Sequence, residues 1–198
     1  MIAAIDLAMR SLDATWDRAR WEDLPDDGNR YEVIEGVLYM STSPSSFHQW
    51  ITKRIARVLM AQIDDSGIGV TFWAPLGVFM PGCDPVQPDL FVVRTDELAI
   101  VQTRIEGVPS LLVEILSPSN SSADTDVKRR AYARAGVPEY WIVRPGRRDV
   151  LVYSQPDGGL EDYAQSVRVD PGTELVSATL PVRAPVDDFF ADAPNTDL

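Results

Sequence analysis

Apolar residues in the first half of the chain follow spacings that are typical of strands and helices. YEVIEGVLYM places two apolar runs around Glu35–Gly36, which predicts a tight β-hairpin. Apolar residues then recur every three or four positions from Ser46 to Ile63, which predicts a helix ending near Asp64–Gly67. A short helix capped by Thr15 is expected before the hairpin. Strands are expected at Gly69–Trp73, Gly77–Phe79 and DLFVV, and a turn-rich connector at PGCDPVQP.

The second half alternates apolar strands with one helix. SLLVEIL, EYWIV and DVLVY are predicted strands, and the basic turn RPGRR joins the last two. SPSNSSADTD is predicted as a capped loop, followed by a helix over VKRRAYARAG that ends at Gly136. Further strands are expected at Tyr163–Val169 and Glu174–Val176, with a helical turn at VDDFF. This order predicts an α+β fold, an α/β/α sandwich with a mixed central β-sheet flanked by helices and an N-terminal β-hairpin.

The length of 198 residues fits a single domain. We expect an N-terminal extension at 1–24, a core at 25–155 and a C-terminal extension at 156–198. Hydrophobic residues make up 45% of the chain, which excludes a disordered acidic protein.

The net charge of −12 argues at first against a nucleic-acid protein, because phosphate binding needs a basic surface. The acid is concentrated at the ends, since 1–40 and 151–198 carry −5 and −7, whereas 114–150 carries +2. Bases that could face DNA are Lys53, Arg54, Arg57, Arg129, Arg130, Arg134 and those of RPGRR. The acidic total therefore predicts weak, salt-sensitive DNA binding and does not exclude it.

Cys83 and His48 are the only cysteine and the only histidine. A disulfide framework and a zinc site of thiolates and imidazoles are excluded by these counts. Any metal site must use carboxylates and carbonyls, which favours Mg²⁺ or Mn²⁺. The first residues do not resemble a signal peptide, and no stretch approaches the roughly 20 apolar residues of a membrane span. We expect a cytoplasmic protein.

Three charged residues stand where apolar ones are expected. Asp89 lies at the entrance of the DLFVV strand, and Glu114 interrupts the apolar run of SLLVEIL. Lys128 shares one face of its predicted helix with Ala131, Tyr132 and Ala135. Two carboxylates on neighbouring strands beside a lysine suit a divalent cation and an attacking water. Alternatively, Asp89 caps a turn, and Glu114 and Lys128 form a structural buried ion pair.

QPDLFVV, LLVEILSPS, the helix with Lys128 and GVPEYWIV together resemble the Uma2 family of endonucleases, in the PD-(D/E)xK nuclease superfamily. RYEVIEGVLYMSTSPSSFH resembles the N-terminal hairpin and helix of that family, and the resemblance covers about 25–155. It implies a restriction-endonuclease-like fold and a Mg²⁺-dependent (or Mn²⁺-dependent) phosphodiesterase acting on DNA. Asp89 and Glu114 would be metal ligands, and the carbonyl of Ile115 could add a third ligand.

The chain departs from the superfamily pattern at one position. The motif lysine normally stands two residues after the acid, where this chain has Leu116. Lys128, on the following helix, is the natural replacement. A further superfamily acid could be Glu32 or Glu35, and we favour Glu32 because Glu35 lies at the predicted hairpin turn. His48 could contact the phosphate or a metal-bound water, or it could be a core residue with a hydrogen bond.

The expected function is a Mg²⁺-dependent endonuclease that hydrolyses DNA with a metal-activated water, using Glu32, His48, Asp89, Glu114 and Lys128. One alternative is a weak or inactive binding module of the same fold, which recognises nucleic acid or protein. Another is a metal-dependent hydrolase of a small phosphorylated substrate. A homodimer is possible, and no membrane partner is expected.

Overall fold

The computed structural model describes residues 9–117 and 122–197. Its helices are α1 (Arg18–Glu22), α2 (Ser46–Leu59) and α3 (Ser122–Ala135). A π-helical turn at Met60–Asp64 continues α2, and short 3₁₀ helices cover Thr95–Ile100 and Val186–Phe189. No helix within the described residues is long and apolar enough to cross a membrane.

The strands fall into two sheets of six strands and a third sheet of two strands. The first seven are β1 (Met9–Arg10), β2 (Arg30–Ile34), β3 (Val37–Ser41), β4 (Gly69–Trp73), β5 (Val78–Met80), β6 (Cys83–Val86) and β7 (Leu90–Arg94). The others are β8 (Ile105–Glu106), β9 (Leu111–Ile115), β10 (Glu139–Arg144), β11 (Asp149–Asp157), β12 (Asp162–Val169), β13 (Glu174–Val176) and β14 (Arg183–Pro185).

The main sheet has the order β12-β11-β10-β9-β7-β4, and it is mixed because only the β9–β10 pair is parallel. The smaller sheet has the order β1-β3-β2-β6-β5-β8, and β13 pairs with β14 separately. The predicted hairpin is β2–β3, and its turn residues Glu35 and Gly36 have φ of +52° and +78°. Both angles suit the tight turn of a right-twisted hairpin.

Two hydrophobic cores lie on opposite faces of the main sheet. On one face, buried apolar residues of α2 and of the C-terminal segment pack against alternate residues of β7, β9 and β10. On the other face, the remaining alternate residues pack against α3 and the smaller sheet. Lys128 lies on the face of α3 that buries Ala131, Tyr132 and Ala135, whereas Arg130 and Arg134 are exposed, as the helical spacing predicts.

Glu139 connects the C-terminal segment to the centre of the main sheet. Its side chain is completely buried, and it accepts hydrogen bonds from the Ser177 hydroxyl at 2.7 Å and from the Thr179 amide at 2.8 Å. The Thr179 hydroxyl, the Ala178 amide and the indole N–H of Trp141 also donate to it. A buried carboxylate is retained here because donors surround it.

The α+β class and most predicted elements are confirmed, and three local predictions are wrong. PGCDPVQP is not only a connector, because Cys83–Val86 forms β6. Its one proline, Pro85, is tolerated because β6 pairs at only a few positions. The helix α1 is capped by Asp17 and not by Thr15. The predicted SPSNSSADTD loop is helical from Ser122 onward, and its residues 118–121 lie outside the described part of the chain. The division into a core and two extensions stays a prediction.

Candidate active site

Asp89 and Glu114 lie side by side at one end of the main sheet. Leu90 of β7 pairs with Val113 of the antiparallel β9, so the next residue on each strand, Asp89 and Glu114, occupies the same end. The backbone amide of Ile115 donates to Oδ2 of Asp89 at 2.8 Å. Both carboxylates are buried. The register of the two strands therefore fixes the two acids next to each other.

The carboxylate of Asp89 contacts two side chains from separate elements, Arg30 and His48. Nη1 of Arg30 in β2 donates to Oδ1 at 3.0 Å, and Nε2 of His48 in α2 lies 3.1 Å from Oδ2. Arg30 also donates to the carbonyl of Gln87. Burial disfavours ionisation, but Arg30, His48 and the Ile115 amide together hold the pKa of Asp89 well below its usual value. Asp89 is therefore an ionised carboxylate.

Lys128 bridges the other two acids. Its Nζ lies 2.9 Å from Oε2 of Glu32 and 3.0 Å from Oε1 of Glu114. Only 15% of the lysine side chain is exposed. Burial disfavours the ammonium, but Glu114 and Glu32 outweigh it and raise the pKa of Lys128. Lys128 is therefore a fixed positive charge that joins the smaller sheet to the main sheet.

The pKa values of Glu32 and Glu114 shift in opposite directions. Burial disfavours the charged form of both, but Lys128, Arg30 and the Gln87 amide lower the pKa of Glu32. Burial and the nearby carboxylates raise the pKa of Glu114, although Lys128 opposes them. The hydroxyl of Tyr132 donates to Oε1 of Glu114 at 2.9 Å, the same oxygen that Lys128 contacts. Glu114 is therefore the carboxylate most affected by the excess of negative charge.

The donor set suits a hard divalent cation. Three carboxylates, Glu32, Asp89 and Glu114, face two permanent cations, Arg30 and Lys128, so one negative charge remains uncompensated. No group of three or more His, Cys, Asp or Glu side chains within the described residues is arranged to hold a metal. Mg²⁺ commonly uses one or two carboxylates together with waters and substrate phosphates, so two adjacent acids fit its requirements.

Comparisons with known proteins show the family and the fold of the chain. A family model named Uma2, described as "Putative restriction endonuclease", matches residues 18–186. The chain belongs to the Uma2 family. A crystal structure titled as a "putative nuclease belonging to DUF820" from Anabaena variabilis is similar to this Uma2 chain, with a TM-score of 0.74 and 17% identity. The match covers 89% of this chain and 98% of that one, and it shows a shared fold. No curated protein matches the chain.

The expected restriction-endonuclease-like fold is thus confirmed for this Uma2 chain. The structure brings together Glu32, His48, Asp89, Glu114 and Lys128, and it places the amide of Ile115 against Asp89. Glu35 lies at the hairpin turn and pairs with Arg134, outside this cluster. The chemical roles of the cluster residues, including a ligand role for the Ile115 carbonyl, stay predictions.

Sequence reasoning missed two members of the cluster in the Uma2 chain. Arg30 lies two residues before Glu32 in β2, so strand alternation places both on one face. Tyr132 lies four residues after Lys128 and therefore on the same side of α3. In both cases the periodicity was available, but nothing in the sequence distinguished Arg30 from fifteen other arginines or Tyr132 from a core aromatic residue.

Most of the bases that the sequence offered for DNA contact already have acidic or carbonyl partners. Arg129 pairs with Asp126 and Asp162, and Arg144 pairs with Asp149. Lys53, Arg57 and Arg130 are exposed. The bases that the sequence offered for DNA contact are therefore reduced to a few scattered exposed charges, and the acidic cluster is the more prominent electrostatic feature of the described residues.

Proposed function

We propose that this protein is a Mg²⁺- or Mn²⁺-dependent endonuclease that hydrolyses phosphodiester bonds of DNA. The observation that carries the proposal is the buried cluster in which Lys128 joins Glu114 to Glu32 beside Asp89. Membership of a family described as "Putative restriction endonuclease" supports the reaction class. The remaining negative charge of the cluster supports a requirement for a cation.

Asp89 and Glu114 would hold the metal ion, with the Ile115 carbonyl as a further oxygen ligand. When bound, the ion supplies Lewis-acid activation of a water molecule and of the phosphate. Asp89 is suited to this role because its low pKa keeps it ionised. The hydrogen bond from the Ile115 amide fixes the carboxylate of Asp89 in position.

Lys128 would position the attacking water and offset negative charge that develops on the phosphate. Its ammonium is held between two glutamates, so it has little freedom to move away from the reacting groups. Glu32 supports Lys128 and is itself fixed by the amide of Gln87 at 2.7 Å. A compact ammonium suits a position between two carboxylates better than a guanidinium fork does.

His48 and Arg30 complete the site from the side of Asp89. Both contact its carboxylate, so they orient it, and each can also donate a hydrogen bond to a phosphate oxygen. Arg30 was not among the residues expected from the sequence, and we add it to the proposed site.

Cleavage of plasmid and oligonucleotide DNA by Asp89→Asn and Glu114→Gln tests the proposal. Each variant should lose about a hundredfold or more of the Mg²⁺- or Mn²⁺-dependent rate, because each removes a carboxylate that would hold the metal ion next to the reacting phosphate. Glu35→Gln is the matched control and should cleave like the wild type, since Glu35 lies at an exposed turn. Circular dichroism should show that all three variants are folded.

Undiminished cleavage by either cluster variant, or equal loss in Glu35→Gln, would contradict the assignment. Glu32→Gln further separates the two sequence candidates for the supporting acid. We expect Glu32→Gln to lose activity because Lys128 loses half of its anionic support. The expected difference between Glu32→Gln and Glu35→Gln is large enough for a simple gel assay to detect.

A second candidate function is a binding module with a weak or inactive site. It is favoured by one observation, that Arg30 and Lys128 already neutralise two of the three carboxylates. Calorimetric titration with Mn²⁺ distinguishes the two functions. An enzyme site should release heat that Glu114→Gln removes, whereas an inactive site should give the same trace for both proteins.

A further inference from the structure

A cavity of about 300 Å³ opens beside Asp89 and His48. Three parts of the chain form most of its wall: Asn29–Arg30 at the start of the hairpin, Thr42–Gln49 around the start of α2, and Trp73–Pro75 after β4. We call it the Trp73 cavity. Its volume lies at the low end of the range for small-molecule sites. The cavity therefore has room for one small planar group next to the proposed catalytic acids, and a base pair stacked in a duplex cannot enter it.

Trp73 gives the cavity an aromatic wall. Its side chain is 50% exposed, and it is the only tryptophan among the large hydrophobic residues that are exposed within the described part of the chain. Trp73 pairs with Leu90, and the amide of Ala74 donates to the carbonyl of Asp89 at 3.2 Å. The backbone thus holds Trp73 close to Asp89. An exposed aromatic ring of this kind is the platform on which unpaired bases stack.

Arg30 brings a guanidinium to the wall of the cavity. It lines the cavity, and 22% of its side chain is exposed. A phosphate oxygen is a strong acceptor for a guanidinium. The cavity therefore combines an aromatic wall, polar amide groups from Asn29 and Gln49, and a guanidinium. This is the chemistry that recognises a nucleotide.

We propose that the Trp73 cavity receives one unpaired nucleotide of single-stranded DNA, with its base stacked on Trp73 and its phosphate toward Arg30. This inference rests on the proposed nuclease function and narrows its substrate to DNA that is unpaired at the cleavage site. It also offers a source of affinity besides exposed bases such as Lys53, Arg57 and Arg130. Stacking on an aromatic ring contributes binding that does not depend on a broad basic surface.

Binding of a labelled oligothymidylate and of a matched duplex tests the inference. Fluorescence anisotropy is measured at low salt, in EDTA and with Ca²⁺ in place of Mg²⁺, so that no cleavage is required. The single strand should bind more tightly than the duplex in at least one of the two buffers. Trp73→Ala should weaken single-strand binding about 5- to 150-fold, as loss of one base–aromatic stack does, and Trp73→Phe should retain most of it.

Intrinsic fluorescence gives a second readout that a purely structural role would not change. The oligothymidylate should quench wild-type fluorescence, and Trp73→Phe should abolish that quenching. Trp50→Phe is the matched control, because Trp50 donates to the carbonyl of Ala191 and does not line the cavity. Quenching should persist in Trp50→Phe.

Any one of three results would overturn the inference. The wild type and Trp73→Ala could bind the single strand with equal affinity, the duplex could bind more tightly than the single strand, or the single strand could fail to bind in either buffer. The proposed nuclease function is tested separately. If the wild type cleaves duplex DNA and Trp73→Ala cleaves it equally well, the nuclease function stands and this inference fails. If single strands bind through Trp73 but no cleavage occurs with Mn²⁺, the inference stands and the nuclease function fails.

Discussion

Replacing Lys128 with methionine removes the positive charge that joins two sheets. The methionine has a similar length and is apolar, so the main change is electrostatic. In the wild type, Nζ of Lys128 contacts Glu32 at 2.9 Å and Glu114 at 3.0 Å, and all three side chains are mostly buried. The variant leaves two carboxylates facing each other without a cation between them. Breaking a buried ion pair by removing one partner costs about 3–5 kcal/mol.

The cost should appear as a lower free energy of unfolding at neutral pH. With a urea m-value near 2 kcal/mol/M, a loss of about 4 kcal/mol moves the unfolding midpoint by about 2 M. Lys53→Met is the matched control, because Lys53 is the only other lysine and is exposed. Its ammonium lies 3.5 Å from the Trp50 ring, so we expect a loss of only about 0.5–1 kcal/mol.

A double variant separates charge from packing. Adding Glu32→Gln to Lys128→Met removes one of the two opposed carboxylates, so part of the lost stability should return. A midpoint shift below about 0.5 M for Lys128→Met would refute the reasoning, since about 1 kcal/mol is typical of an exposed pair. A double variant less stable than Lys128→Met would refute the claim that carboxylate repulsion causes the loss.

Three further predictions concern stability. Arg30→Met should cost about 3 kcal/mol in urea unfolding, because it leaves a buried carboxylate without its permanent cation, and equal stability to the wild type would contradict this. Glu139→Ala should lower the free energy of unfolding by about 3–5 kcal/mol, because several buried donors lose their acceptor. By calorimetry this loss corresponds to a decrease in Tm of roughly 6–20 °C. A smaller decrease would show that those donors find other acceptors. Gly36→Ala should lower Tm, because φ of Gly36 is +78° and an added Cβ would lie 2.3 Å from a backbone oxygen. Gly158→Ala is the control and should leave Tm unchanged, because no atom lies within 4 Å of a Cβ added there.

The sequence pointed to site residues where a charged side chain breaks an apolar pattern. Glu114 interrupts a strongly apolar strand, and Lys128 interrupts the apolar face of a helix, so both could be singled out without knowledge of the fold. Asp89 stands just before an apolar strand, where the sequence also allowed a turn cap. Glu32 could be preferred to Glu35 because the turn chemistry of Glu35–Gly36 is local, and φ of both turn residues is positive as expected.

The smaller sheet could not be predicted beyond its hairpin and β5. Met9–Arg10 and Ile105–Glu106 are two-residue strands that show no periodicity, and Cys83–Val86 contains a proline. The contacts that form these strands are tertiary, because β8 pairs with β5 in parallel and β1 pairs with β3 across the hairpin. The same limit applies to Arg30, whose partner Asp89 lies 59 residues away in the chain.

The bridge between Lys128 and the two glutamates also affects how the chain can fold while it is being synthesised. Glu32 and Glu114 leave the ribosome before Lys128, so the nascent chain first carries the acids without their lysine. Burial of unpaired carboxylates is costly, which keeps the ends of β2 and β9 open to water until α3 emerges. Docking of α3 then supplies the ammonium that both strand ends need, before β10, β11 and β12 complete the main sheet. The proposed catalytic cluster is thus also a contact between the two sheets that forms only after α3 has emerged, and a chain that ends before residue 128 lacks it.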